Sequence, residues 1–200
     1  MITIDLRAVK AAAFAMSTND TRYYLNGVCI DIDRAHGAVA VATDGNRLIA
    51  CLAAEAPAIP ADMPARAVII PADIVKRIKL AKRVFDATLR DNGDGTWTIL
   101  YGDDIHTFLP VAGAFPAWRR VLPSHREPGA RAYFNADYLA DFKAAGAVYV
   151  KGTHPAVVEH GEEDPAWVLF RDDIPAVGVV MPMRRHAAER MDAPSWATRA

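Results

Sequence analysis

Residues 2–16, Ile-Thr-Ile-Asp-Leu-Arg-Ala-Val-Lys-Ala-Ala-Ala-Phe-Ala-Met, hold the pattern that decides the fold. Residues 2–4 are short and β-branched, as an opening strand should be, and Asp5 stands where a helix N-cap belongs. Behind it Leu6, Val9, Ala13 and Met16 recur at the i, i+3, i+7 spacing of a buried helical stripe, with Arg7 and Lys10 beside it. A polar break at 17–21 follows. Residues 23–32 and 38–43 are then rich in strand formers, divided by the turn-like Arg34-Ala35-His36-Gly37, and a further strand at 47–52 comes after Asp44-Gly45.

The same order returns twice. Residues 67–70 read as a strand, Pro71 as a helix start, and 73–83 as a helix with Ile74, Ile78, Ala81 and Phe85 on one side. Strands are expected at 84–90, 96–101 and 105–109, the first pair joined by the hairpin signal Asp-Asn-Gly-Asp-Gly at 91–95. In the third pass, 132–134 is a strand, Asn135 caps a helix running to 145, Gly146 ends it, and strands follow at 148–151, 167–170 and 177–180. The fold class is α+β, built from three repeated β-α-β-β-β units at a spacing of about 65 residues, with helices on one side of antiparallel sheets. Pro110, Pro116, Pro123 and Pro128 mark a connector between the second and third units, and 185–200 reads as a loose tail.

Composition narrows the function. The chain of 200 residues is 52% hydrophobic, enough for a real core without staples. Cys29 and Cys51 lack CxxC spacing, no signal peptide opens the sequence, and every apolar run is interrupted by charge, so a soluble cytoplasmic protein with inert core thiols is expected. Lys plus Arg (23) nearly cancel Asp plus Glu (24), so any nucleic-acid contact must be local. The second helix offers such a place: Lys76, Lys79 and Arg83 lie opposite Ile74 and Ile78, with Arg77 and Lys82 flanking. An ordinary solvated face is one reading. The other is a helix facing phosphates without reading bases, to which Arg7, Lys10 and Lys143 would add.

Catalytic chemistry is missing from the pattern. His36, His106, His125, His154, His160 and His186 show no HxxxH or HExxH spacing, and no Gly-rich phosphate loop precedes Lys-Ser or Lys-Thr. Asp31 and Asp33 lack the glycine of a calcium loop, and Asp44 before Gly45 is what a tight turn needs. No enzyme, metal or cofactor is expected.

Four stretches speak more specifically. Thr21-Arg22-Tyr23-Tyr24-Leu25-Asn26-Gly27, Val41-Ala42-Thr43-Asp44-Gly45-Asn46-Arg47-Leu48, Phe115-Pro116-Ala117-Trp118-Arg119-Arg120-Val121-Leu122-Pro123 and Val179-Val180-Met181-Pro182-Met183-Arg184 resemble, in order, signature stretches of the bacterial DNA polymerase III beta subunit, the sliding clamp family. The resemblance covers nearly all of 1–184 and implies a DNA-clamp fold, with helices lining a ring and strands forming its rim. Residues 1–123 resemble the whole middle domain (units at about 1–57 and 66–110, then the connector), and 130–184 the second half of the last domain. The family's first domain, and the first half of its last, have no counterpart, so units of this size would complete a ring of twelve as a tetramer, a homo-oligomer around double-stranded DNA.

The resemblance also implies a groove that takes short peptides from DNA polymerase and clamp-loader proteins. Its walls would be Leu25, Thr43, Gly45, Asn46, Arg47 and Leu48 on one side, Pro116, Arg120 and Val121 at the connector, and Val179, Val180, Met181, Pro182, Met183 and Arg184 on the other. Met, Pro and branched side chains suit an adaptable apolar cleft, with Arg47 and Arg120 holding polar groups at its rim. Asn46 replaces a common His and Trp118 a common Tyr. Asn19 falls where the family has a DNA-touching loop. The resulting expectation is a processivity clamp. Its rival is a clamp-like module or decoy, of chromosomal or mobile-element origin, that binds such peptides without encircling DNA.

Overall fold

The computed structural model describes residues 1–81, 85–123, 132–152, 157–159 and 164–184. The first unit comprises β1 (Ile2–Asp5), α1 (Leu6–Ala12) with a 3-10 turn at Ala13–Ala15, β2 (Gly27–Asp33), β3 (Gly37–Thr43) and β4 (Arg47–Ala54). The second comprises β5 (Arg66–Pro71), α2 (Ala72–Arg77), β6 (Asp86–Asp91), β7 (Trp97–Tyr101) and β8 (Asp104–Phe108). The third holds α3 (Ala136–Tyr149), β9 (Val157–Glu159), β10 (Ala166–Leu169) and β11 (Ala176–Val180). Asp5 caps α1 as expected, its carboxylate accepting from the Arg7 amide at 2.7 Å.

The strands form two antiparallel sheets, ordered β1-β6-β7-β8 and β5-β2-β3-β4-β11-β10-β9. The leading strand of each of the first two units is exchanged. β1 pairs with β6 through Ile2↔Leu89 to Asp5↔Asp86, and β5 pairs with β2 through Gly27↔Pro71 to Ile32↔Arg66. Neither unit therefore completes a sheet alone. The third unit joins by a different device, β11 adding to the outer edge of β4 with Leu48 opposite Val179 and Arg47 opposite Val180.

The larger sheet is covered on both faces. Ile49, Cys51 and Ala53 of β4 face the main core with Leu6, Ala8, Val9, Ala11 and Ala12 of α1 and Phe142 and Ala145 of α3. Leu48 and Ala50 face the opposite cluster, with Cys29, Val41, Ile69, Val179 and Trp118. Burial on both sides explains why residues 47–54, Arg-Leu-Ile-Ala-Cys-Leu-Ala-Ala, read as a continuous apolar run rather than an alternation. Both cysteines are buried, and desolvation pushes the Cys51 thiol up to about 12 and the Cys29 thiol up as well.

Several elements depart from expectation. Residues 23–25 form a 3-10 turn ahead of β2, not strand. The helix expected over 73–83 stops at Arg77: Ile78 turns extended (φ −60°, ψ 122°), and the Lys79 amide donates to the Tyr101 hydroxyl at 3.3 Å, a partner supplied by β7. Ala81, placed on the buried stripe, is exposed. The expected strands at 132–134 and 148–151 are absent, and β9 was not anticipated. Gly146 does not end α3; with Phe142 and Ala145 it forms a buried i, i+3, i+4 row inside a helix that runs on to Tyr149. The tail at 185–200 lies outside the described residues.

Gly178 in β11 makes room for α3. A Cβ built there would sit 2.7 Å from Phe142 Cδ1 and 3.1 Å from Val168 Cβ, and Phe142 is among the largest fully buried side chains. Gly178→Ala is expected to lower stability by about 1–3 kcal/mol through overpacking, read as a shifted urea midpoint. An unchanged midpoint would show that α3 is not seated tightly on β11.

Candidate peptide cleft and nucleic-acid face

The turn at 43–47 is built by its own side chains. Asp44 accepts from the amides of Asn46 (2.8 Å) and Arg47 (3.0 Å), Thr43 Oγ1 donates to the Arg47 carbonyl (2.6 Å) and accepts from the Gly45 amide (3.0 Å). Gly45 takes φ +93°, which a side chain would strain. Arg22 spans from this turn to its neighbour: it is bidentate to Asp20, holding that carboxyl down to about 2, and donates to the Asp44 carbonyl at 3.3 Å. Residues 20–25 and 43–47 are thereby tied together.

The β4–β11 ladder then sets the third unit beside this turn. Leu48 opposes Val179, and beyond the strand the Met181 amide donates to the Asn46 carbonyl at 2.8 Å. Farther on, the Met183 amide donates to the Tyr133 carbonyl at 2.7 Å. The connector lies over the same outer face. The Val111 amide bonds the Ile69 carbonyl at 3.0 Å, the Trp118 indole donates to Asp31 at 2.9 Å, Arg119 also pairs with Asp31 and stacks on the Trp118 ring, and the Trp167 indole reaches the Pro123 carbonyl at 3.0 Å.

The residues expected to form the groove therefore divide. Leu48, Val179 and Val180 are buried, Leu48 and Val179 in one cluster with Trp118. Val121 (47% exposed), Met181 (40%) and Met183 (38%) are open apolar surface, and Gly45, Asn46 and Arg184 are exposed with them. Thr43 and Pro182 are half-buried. Leu25 is buried in its 3-10 turn. Pro116 and Arg120 line a cleft of about 340 Å³, with Cys29, Asp31, Ala67, Phe115 and Trp118, between the connector and the paired strands β2 and β5.

Arg47 is not a free rim cation. Its side chain turns away from Leu48, as alternation along a strand requires, and pairs with Asp141 at 2.9 Å, donates to the Phe14 carbonyl at 2.9 Å and lies 4.4 Å from the centre of the Tyr138 ring. Burial pushes the Asp141 carboxyl above its ordinary range, while Arg47 draws it back. Nothing local in the sequence announces this pairing, which joins residues far apart in the chain.

The basic face is likewise divided. Lys76, Arg77, Lys79, Lys143 and Asn19 are exposed, with Arg77 near Asp73 at 3.4 Å. Lys79 follows α2 rather than lying on it. Lys10 donates to the Val75 carbonyl at 3.0 Å, and Arg7 is held by Asp5 at 2.7 Å between the Phe85 and Tyr149 rings, so both serve internal contacts. Arg83 lies outside the described residues. Among the described residues no group of His, Cys, Asp and Glu could hold a metal ion, and no helix is long and apolar enough to cross a membrane.

This arrangement is that of a clamp fold. Residues 5–92 match the family described as DNA polymerase III beta subunit, central domain. The beta sliding clamp of Escherichia coli strain K12 is 32% identical over 167 residues, covering 78% of this chain and 44% of that protein, and the Proteus mirabilis clamp is 33% identical over 121 residues. Among solved structures, the DNA polymerase III subunit beta from Pseudomonas aeruginosa superposes with TM-score 0.71 at 21% identity, over 92% of this chain and 67% of that one. The pol III beta of Caulobacter crescentus superposes with TM-score 0.67 at 23% identity, over 92% of this chain and 66% of that one. The chain belongs to the DNA polymerase III beta subunit, or sliding clamp, family, and spans less than half the length of the E. coli relative it matches.

Replacing Arg47 by Ala leaves Asp141 without its cation and the Phe14 carbonyl without its donor. Stability is expected to fall by about 1–3 kcal/mol, measured by chemical denaturation, with Arg47→Lys recovering only part because a point charge cannot span both acceptors.

Proposed function

We propose that the chain is a processivity factor: an oligomeric ring that holds duplex DNA through loose phosphate contacts and tethers DNA polymerase and clamp-loader proteins by short peptides. The observation that supports this reading is the β4–β11 ladder, which sets 47–48 beside 179–180 and Asn46 beside Met181, within two of the stretches that resemble those of sliding clamps. Tethering acts by effective concentration, since a polymerase that lets go stays near its template. The family is one of replication clamps rather than enzymes, and the chain has no use for a catalytic centre here.

In this proposal residues 1–123 act as a complete clamp-like domain and 130–184 as half of another, so that four chains would supply the twelve units of a ring. The peptide cleft in this proposal takes Val121, Met181 and Met183, which are exposed apolar residues, as its anchoring surface, with Leu48 and Val179 buried beneath the ladder. Lys76, Arg77, Lys79, Lys143 and Asn19 face DNA, without reading bases. The protein works in the cytoplasm.

Two experiments test this. A fluorescent peptide of the kind sliding clamps take, with apolar anchor residues, is expected to bind the wild type and to lose at least tenfold in affinity in Met183→Asp; unchanged affinity would place the cleft elsewhere. Presented with a clamp-loader complex and ATP, the protein is expected to stay on nicked circular DNA through gel filtration and to leave once that DNA is linearised. Peptide binding without such retention would identify a module that does not encircle DNA.

A further inference from the structure

The connector is fastened to the larger sheet at two points. Its residues Trp118–Val121 form a 3-10 turn. Trp118 is buried, and Leu122, four residues on, packs against the same cluster of Val41, Leu48 and Val179. Arg119, Arg120 and Val121, between them, are exposed. At the near end Asp31 of β2 is the fastening: one of its carboxylate oxygens accepts the Trp118 indole N–H at 2.9 Å and also the Arg119 guanidinium. At the far end the Trp167 indole of β10 donates to the Pro123 carbonyl at 3.0 Å, and Trp167 stands opposite Val179 in the β10–β11 ladder. Val121 lies between these two points, its side chain turned to solvent at 47% exposure.

Asp31 is an acid where the strand pattern asks for an apolar residue. Alternation along β2 puts it on the face that carries Cys29, which is buried in the cluster under the connector. A carboxylate at the border of such a cluster is costly unless its oxygens are taken. Here indole and guanidinium take them, and the Arg119 guanidinium lies 4.2 Å from the centre of the Trp118 ring, so the three groups satisfy one another. The turn's own backbone bonds, from the Trp118 amide to the Pro116 carbonyl (2.7 Å) and from the Arg120 amide to the Ala117 carbonyl (2.9 Å), are local and do not fix it to the sheet.

We propose that Asp31 is a positioning residue of the peptide cleft: by latching Trp118 and Arg119 it holds the 118–121 turn against the sheet and fixes Val121 as a ready-placed apolar contact for an incoming peptide. The inference rests on the cleft reading above and adds to it a residue that acts through others, without touching the peptide itself. A peptide that meets an unlatched turn has to order it on binding, and affinity falls by the fraction of time the turn spends out of place. The latch joins β2 to a turn 87 residues farther along the chain, so it sets a distance that no local preference of the connector could set.

The test uses the full chain and the same fluorescent, apolar-anchored peptide. Asp31→Ala is expected to weaken peptide affinity about fivefold, and Trp118→Phe, which keeps a ring but has no N–H to donate, by a similar factor. The double variant should lose no more than the worse of the two, because both break one latch. Asp31→Asn keeps an oxygen for the indole and should recover part of the loss, while Asp91→Ala, which breaks the Arg66–Asp91 pair of the other sheet, should bind as the wild type does. A second readout needs no peptide: under native conditions trypsin is expected to cut after Arg119 or Arg120 about tenfold faster in Asp31→Ala than in the wild type or Asp91→Ala, with the cuts mapped by mass spectrometry. Affinity lost in Met183→Asp but kept in Asp31→Ala would overturn this inference and leave the cleft standing. Affinity lost in Asp31→Ala but kept in Met183→Asp would support the latch and remove Met183 from the cleft. Additive losses in the double variant, or equal cutting of Asp31→Ala and the wild type, would overturn the latch, and a wild type that binds no such peptide would overturn both readings.

Discussion

The antiparallel ladder between β4 and β11 is the constraint on which the rest of the molecule depends. It is the seam by which a unit remote in sequence becomes part of the first unit's sheet. Once β11 lies there, Gly178 presents bare backbone to α3, Phe142 fills the space, and α3 comes to rest beside α1. Arg47 stands at the end of that ladder, opposite Val180, and fastens the tail of α1 to α3 through the Phe14 carbonyl and Asp141. On the other face, Trp118 and Trp167 bind the connector down across the same seam.

The first two units are held by different means. Exchange of β1 and β5 means that each smaller assembly borrows a strand from the other, so separating them would break two ladders at once. This also explains why charge near helices is a poor guide to function. Arg7 and Lys10 lie beside a buried stripe and end up bonded to Asp5 and to the Val75 carbonyl, because long cationic side chains can cover apolar surface while their heads find acceptors. Lys76 and Lys79 have no such demand placed on them by the described contacts of their side chains.

Much of the fold was legible because it is written in local terms. Periodicity located β1 to β8, β10 and β11 to within a few residues, turn chemistry at 34–37, 44–45 and 91–95 placed the reversals, and Asp5 and Asn135 capped the helices they were expected to cap. The errors came where a tertiary partner outweighed local preference. The Tyr101 hydroxyl takes an amide that a longer α2 would have used, and Gly146 is core-facing rather than a stop. The site was legible only in part. Leu48 and Val179 stand opposite each other in the β4–β11 ladder, whereas the inward turn of Arg47 and the place of Pro116 and Arg120 in a cleft with Cys29 and Asp31 follow from contacts that no short motif encodes.

The seam has a mechanical consequence. Where two lobes meet through a flexible joint, a guest must first freeze their relative motion; where they meet through a hydrogen-bonded ladder sealed by aromatic side chains on one face and a guanidinium on the other, they form a stiff plate. A segment settling on the exposed Met181 and Met183 at the end of this seam would find its seat already in place, and the loss of freedom on binding would fall on the guest alone.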